Sequence, residues 1–373
     1  MITRHDKDQL PPTLSTLHSD PQEAAWNKFL MKLVQSRSEQ LNGGALIGAA
    51  HFGQEGTAGQ QKQKSLATLI VGGIPMHHRH PIWLELSNTD SMMEPGGYEH
   101  FLSLRSHGDT NEIEAILKDV PRTLTSKYEF FPGKGFQRLK DLLVAFVGKY
   151  EDLGYTQGLN TIAGYLLLAF PSEEDAFWLL CNIVENFFPK DYFSREAAMS
   201  GPLADNIVLR QYIKEMLPQL AKHMDDLDIG PDHTVPLQWF FTAFSTVLAQ
   251  DILLRIWDVW LCLPNQRGFI FNVALTLLLQ FAPDLLNCGT EGEYWAYLDA
   301  CRVSEEPEKV NDLIKQALGL RKKLEGLEPR RKKQVKLLRQ KRWSTEALYP
   351  KDEVSEGAVA VGVVERQDNS GIA

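Results

Sequence analysis

Ile116-Leu117-Lys118-Asp119-Val120-Pro121-Arg122-Thr123 and, further along, Gly154-Tyr155-Thr156-Gln157-Gly158-Leu159-Asn160 lie within the stretch 113–160 that organises this chain. Between them Phe136, Leu139, Leu142, Leu143, Phe146, Val147 and Tyr150 fall at the i, i+3, i+4, i+7 spacing of one helical face. An arginine and a glutamine therefore stand at the two ends of a buried helical connector, each in a break between helices. Asp109 opens the helix ahead of the arginine, with Glu112 at the reciprocal capping-box position and Ile113, Ile116 and Leu117 as its apolar stripe. Pro121 disfavours the helical conformation at Val120, so that helix ends near Asp119 and leaves Arg122 on a turn just beyond it. Asp119, three residues earlier, can hold this guanidinium or a nearby arginine by a charge-assisted hydrogen bond, the blander reading being a helix C-terminal residue exposed to water. On the other side Gly154 and Gly158 bracket Tyr155-Thr156-Gln157, and Leu159, Ile162, Ala163, Leu166 and Leu167 begin a strongly apolar helix.

Composition narrows the class. A hydrophobic content of 43% over 373 residues supports a sizeable core. Residues 1–6 lack the basic-then-apolar layout of a signal peptide, and no apolar run approaches a bilayer span. Cys181, Cys262, Cys288 and Cys301 are scattered without paired spacing, as expected of buried thiols in a reducing compartment rather than of disulfides or a zinc site. These features read as a cytoplasmic protein. The net charge of −9 conceals an asymmetry: 321–342 holds eleven Lys or Arg against two Glu, an excess of +9, leaving the remainder at −18. An acidic body with one basic segment does not suit a nucleic-acid-binding domain. No G-x-x-x-x-G-K-[ST] occurs, so the chain is not read as a P-loop NTPase.

Periodicity predicts an all-α protein in which no stretch sustains strand alternation. Residues 1–65 read as a mobile start, a helix over 21–35 that docks through a face of Trp26, Phe29, Leu30, Leu33 and Val34, and a flexible Gly- and Gln-rich linker over 36–65. Residues 66–300 form the main domain. Within it, helices are expected over 65–72, 81–87, 98–106, 176–187 behind a Ser172 cap, 205–224 with a kink at Pro218, 237–248, 252–263, 269–281 and 291–301. Residues 301–342 read as a C-terminal helical extension, with a helix over 310–327 running into Arg330-Arg331-Lys332-Lys333, and 343–373 as a disordered tail.

The pair I-x-x-D-x-x-R-T and Y-x-Q-G, in that order, resembles the TBC domain of Rab GTPase-activating proteins. Gly73-Ile74-Pro75 with Arg79 and Trp83 upstream, and Leu254-Arg255-Ile256-Trp257-Asp258 downstream, match two further family segments, so the resemblance covers about residues 66–300. It implies an all-helical TBC domain with helical N- and C-terminal extensions, acting on a GTP-bound Rab-family GTPase in vesicle traffic. Arg122 would be the arginine finger supplied in trans and Gln157 would orient the attacking water. Asp119, Thr123, Tyr155, Gly158, Asn160 and Arg79 would support the site or touch the partner. No cofactor is implied, since GTP and Mg²⁺ belong to the partner. Departures from the family pattern are Gly154, Thr156 and Pro121, which leave both fingers in place.

Blander readings stand beside these. Arg122 alone would be an ordinary surface arginine, and Gln157 a cap on a helix start. Trp83, Trp257 and Leu159 read as core, and Arg255 with Asp258 at i, i+3 as a structural ion pair. His77, His78 and His80 lack a carboxylate or cysteine at ligand spacing, and Asp225-Asp226-Leu227-Asp228 is out of register for a calcium loop. Residues 321–342 read either as a solvated helix or as a segment drawn to anionic membrane, which would place the protein peripherally on endomembranes; up to Leu327 the solvated reading is preferred. The functional alternative to an activator is a non-catalytic Rab-binding scaffold, against which two intact fingers argue.

Overall fold

The indole N–H of Trp26 donates to the Gly73 carbonyl at 2.8 Å from a fully buried ring, pinning the first helix to the body. The computed structural model describes residues 20–36, 45–105, 111–125, 133–190, 192–193, 199–324 and 326–348. α1 (Asp20–Ser36) is the helix expected there, with Phe29 and Leu33 on its buried side and Gln22 bonded to the Leu69 and Gly73 carbonyls, whereas Val34, expected on the docking face, is 65% exposed. A helix of this length is marginal alone in water, so docking holds it. Trp26→Ala is therefore expected to cost about 3–5 kcal/mol. Faster amide exchange along 22–33 before the rest of the chain responds would show it; unchanged protection there would contradict it.

The linker expected over 36–65 is largely folded where it is described. Residues Ala49–Gln54 form a 3₁₀ turn, and α2 runs over Gly56–Gly72, well ahead of the start at 65 that its apolar residues suggested. Glu85 collects the amides of Ile47 and Gly48 at 2.8 and 2.7 Å, and Lys62 bridges Glu55 at 2.6 Å. Gly59 is where α2 meets the preceding turn, since a Cβ there would lie 1.8 Å from the Phe52 carbonyl oxygen. The glycine that read as flexibility permits a close approach.

Two short helices follow, α3 (Met76–Leu86), with Pro81 inside, and α4 (Gly97–Arg105). α5 (Asn111–Asp119) stops where Pro121 predicts, and its proposed cap Asp109 lies outside the described residues. The amphipathic connector is α6 (Lys134–Lys149), its apolar stripe fully buried from Leu139 to Val147. α7 (Leu159–Ala169) is buried along most of its length, and α8 (Glu173–Asn182) is capped by the Ser172 hydroxyl accepting from the Asp175 amide. The span expected as one helix over 205–224 is two, α9 (Ser200–Met216) and α10 (Pro218–Asp226), divided at Pro218.

The helix expected over 237–248 is a correction. Only α11 (Gln238–Phe241) forms, and Ala243 and Phe244 then adopt φ of 46° and 66°. Trp239, Phe240 and Phe244 are all buried, and the Trp257 indole holds the Ala243 carbonyl at 3.0 Å, so aromatic packing overrides helical propensity. Then come α12 (Gln250–Cys262), α13 (Phe269–Leu285), α14 (Glu291–Ala300) and α15 (Pro307–Gly319). The basic run continues as α16 (Leu327–Leu348), so 343–348, expected within a disordered tail, are helical; the rest of that tail and residues 1–19 lie outside the described residues.

No strand occurs among the described residues, no described helix is long and apolar enough to cross a membrane, and the four cysteines are buried and free. His80 pairs with Asp175 at 2.7 Å.

Candidate functional site

α5 hands Arg122 to the surface and keeps Asp119 inside. The Arg122 side chain is 61% exposed, the Asp119 side chain 6%, and one guanidinium nitrogen of Arg122 donates to a carboxylate oxygen of Asp119. Tyr155 donates to the other oxygen of the same carboxylate at 2.6 Å. One buried carboxylate thus ties the arginine turn to the loop carrying Gln157, two residues beyond Tyr155. Burial, then the bond to Asp119, hold the Tyr155 phenol well above its ordinary range, so it stays a donor across physiological pH.

A second tie runs deeper. Asn160 donates to the Thr123 hydroxyl at 2.8 Å and its carbonyl oxygen accepts from the Gly158 amide at 2.8 Å, while the Thr123 hydroxyl donates to the Asp119 carbonyl at 2.7 Å. Thr123 and Asn160 are buried, so these bonds are protected from water and fix the geometry on both sides of the site. Leu124, buried next to them, takes φ of 58°, a costly conformation for a leucine. α7 presses against it where a Cβ on Gly164 would come within 2.9 Å of the Leu124 side chain.

Gln157 itself is exposed, and among the described residues no protein group binds its amide. Its position comes from Gly158, at φ of 107°, where an added Cβ would sit 2.7 Å from the Phe241 ring and 2.9 Å from the Thr242 methyl. Thr161 and Ser245 share a hydrogen bond at 2.7 Å on the same wall. Gly158→Ala is expected to cost about 1–3 kcal/mol in backbone strain and to swing Gln157 away. Thermal unfolding checks the first, and a variant as stable as the parent would refute it.

Arg79 does not join this site. Its guanidinium is buried and binds Asp258 through two bonds, at 3.0 and 3.1 Å, far along the chain in α12. The same carboxylate accepts from the Trp83 indole at 2.8 Å and the Ile74 amide at 3.0 Å. The expected pair of Arg255 with Asp258 is corrected too. Arg255 bonds the Val71 carbonyl at 2.6 Å and Asn311 at 2.7 Å instead, and burial pulls its guanidinium down to about 10. Side chains one turn apart on α12 point to different neighbours, a choice that spacing alone does not reveal.

Phe241, Thr242 and Ser245 escaped the sequence reading, because they flank a chain reversal that the non-glycine residues Ala243 and Phe244 make by adopting positive φ. Among the described residues no group of His, Cys, Asp and Glu is arranged to hold a metal ion. What the site offers is an exposed, rigidly backed guanidinium and an exposed amide on two loops tied to each other. A planar cation of this kind suits phosphate oxygens, and a carboxamide can both donate to and accept from a water.

The family model of the Rab-GTPase-TBC domain matches residues 76–286, more than half of the chain. A TBC domain-containing protein of Schizosaccharomyces pombe is 32% identical over 289 residues, covering 76% of this chain and 36% of that protein. Small G protein signaling modulator 3 of Homo sapiens is 35% identical over 203 residues, covering 53% of this chain and 27% of that protein. The chain therefore spans about a third of the length of the curated relatives it matches. Among solved structures, the Chlamydomonas flagellar RabGAP TBC domain superposes with a TM-score of 0.57 at 20% identity, covering 83% of this chain and 96% of that one. The Ypt/Rab-GAP domain of Gyp1p gives 0.59 at 18% identity, covering 69% and 91%. With the fold, the order of its motifs and the family match in agreement, this chain belongs to the Rab-GTPase-TBC domain family.

Proposed function

We propose that this chain accelerates GTP hydrolysis by a Rab-type GTPase in its GTP-bound form, with Arg122 and Gln157 inserted in trans. The observation that carries the reading is the shared Asp119 carboxylate, which holds the exposed Arg122 and, through Tyr155, the Gln157 loop. Arg122 neutralises charge that develops on the transferring phosphoryl group, and Gln157 aligns the attacking water through its amide. The Arg122 side chain and the backbone of the Gln157 loop are held before the partner arrives, so little of their ordering is left for the reaction itself.

The nucleotide and its Mg²⁺ come with the partner, and the chain acts without a cofactor of its own. Two solved neighbours described as Rab-GAP domains support this reading. The protein would work in the cytoplasm and peripherally on endomembranes, within vesicle traffic.

Single-turnover hydrolysis across a panel of GTP-loaded Rab proteins tests the proposal. Acceleration of at least one Rab is expected. Tight binding of a GTP-loaded Rab with no acceleration would replace the activator by a scaffold.

A further inference from the structure

The structure sorts the cations of α16 into two sets. The arginines of its first turn face the body. Arg331 is buried against Asp205, which also accepts from Tyr192 at 2.8 Å, and the Arg331 guanidinium lies 5.3 Å from the centre of the Phe271 ring. Arg330 meets Glu215 at 2.7 Å and covers the Tyr212 ring at 4.3 Å. These contacts fix the root of the helix on α9. The lysines face out: Lys332, Lys333 and Lys336 are exposed and take part in no ion pair among the described residues.

At i, i+3 and i, i+4 spacing those three lie on one side of the helix, and Leu337, 42% exposed, borders them one turn after Lys333. No Asp or Glu occurs from Pro329 to Trp343, and the exposed Arg321-Lys322-Lys323 turn precedes the helix. A rigidly rooted helix therefore presents an unneutralised cationic stripe from an otherwise acidic protein.

We propose that the stripe of Lys332, Lys333 and Lys336, bordered by Leu337, docks the protein onto an anionic phospholipid surface. Lysine favours this partner over a shaped protein pocket. Its ammonium is a flexible point charge suited to a diffuse layer of headgroups, whereas the planar forks that demand fixed geometry are the arginines turned inward. The exposed leucine adds the apolar foothold of an interfacial helix. This assignment stands on α16 alone and holds whether or not Arg122 accelerates hydrolysis.

Co-sedimentation with phosphatidylcholine vesicles, with and without phosphatidylserine, tests it on the full chain. Binding is expected only with phosphatidylserine, weakening as salt rises. Joint replacement Lys332→Glu, Lys333→Glu and Lys336→Glu should lower partition by at least about tenfold. The same reversal at Lys222, Lys309 and Lys315, exposed lysines elsewhere, should retain it. Unchanged circular dichroism and unchanged hydrolysis by a soluble partner GTPase separate lipid docking from folding and from the Arg122 reading. The proposal is overturned by binding that survives the α16 reversal or falls equally in the control. Retention on polyglutamate resin with no vesicle binding would overturn it as well, assigning the stripe to an acidic protein.

Discussion

Arg122→Ala is expected to lower the single-turnover rate of GTP hydrolysis in the partner complex by about 10³–10⁵. Loss of Gln157 should cost about 10²–10³, the usual effect of removing one group that stabilises or aligns the reacting atoms. Stability should barely change in Gln157→Ala, an exposed side chain whose loss moves stability by roughly 0.5 kcal/mol or less, whereas Arg122→Ala takes the cation from the buried Asp119 carboxylate and is expected to cost about 1–3 kcal/mol. Asp119 keeps the Tyr155 hydroxyl when Arg122 is removed, so the loops stay tied. Stopped-flow measurement with this chain in excess over the GTP-loaded partner reads the rate, and binding of the GTP-loaded partner should persist. A rate that falls only in step with lost binding would mean that Arg122 docks the partner without acting on the phosphoryl group.

Asp258→Ala is expected to destabilise the fold by about 3–5 kcal/mol, since it removes the carboxylate that binds the buried Arg79 guanidinium through two bonds. The Trp83 indole and the Ile74 amide lose their acceptor in the same step. Because Asp258 binds the Gly73-Ile74-Pro75 turn to α12, it couples elements far apart in the chain. Urea unfolding followed by tryptophan fluorescence measures the loss. Replacing Arg79 and Asp258 together by leucines should recover part of it, because removing both charges also removes their desolvation cost. A loss below about 1 kcal/mol in Asp258→Ala would show the cluster to be dispensable.

Much of this was legible in the residues because local physics and tertiary structure agree there. Pro121 ends α5 ahead of Arg122, Ser172 caps α8, and the stripe from Leu139 to Val147 is buried as its spacing requires. Asp119 reaches Arg122, as three-residue spacing allows. What stayed hidden depends on partners distant in sequence. Asp258 chooses Arg79 over Arg255, a selection made by the packing of α3 on α12 and invisible to i, i+3 reasoning. The Gly- and Gln-rich stretch ahead of residue 65 looked like linker because its composition is polar, yet Glu85 and the Phe52 turn order it. Phe241 and Thr242 entered the site wall because Ala243 and Phe244 take left-handed conformations that no glycine announces.

The central claim is that Arg122 acts on the transition state rather than on docking. Its most direct test compares the affinity of the chain for partner GTPase carrying GDP with aluminium fluoride, a mimic of the transferring phosphoryl group, against partner carrying a non-hydrolysable GTP analogue. The account predicts that the wild type binds the mimic at least about a hundredfold more tightly, as expected for complementarity to a transition state, and that Arg122→Ala loses this preference while keeping its affinity for the GTP analogue. Equal affinity of the wild type for the two complexes, or a preference that survives Arg122→Ala, would contradict it.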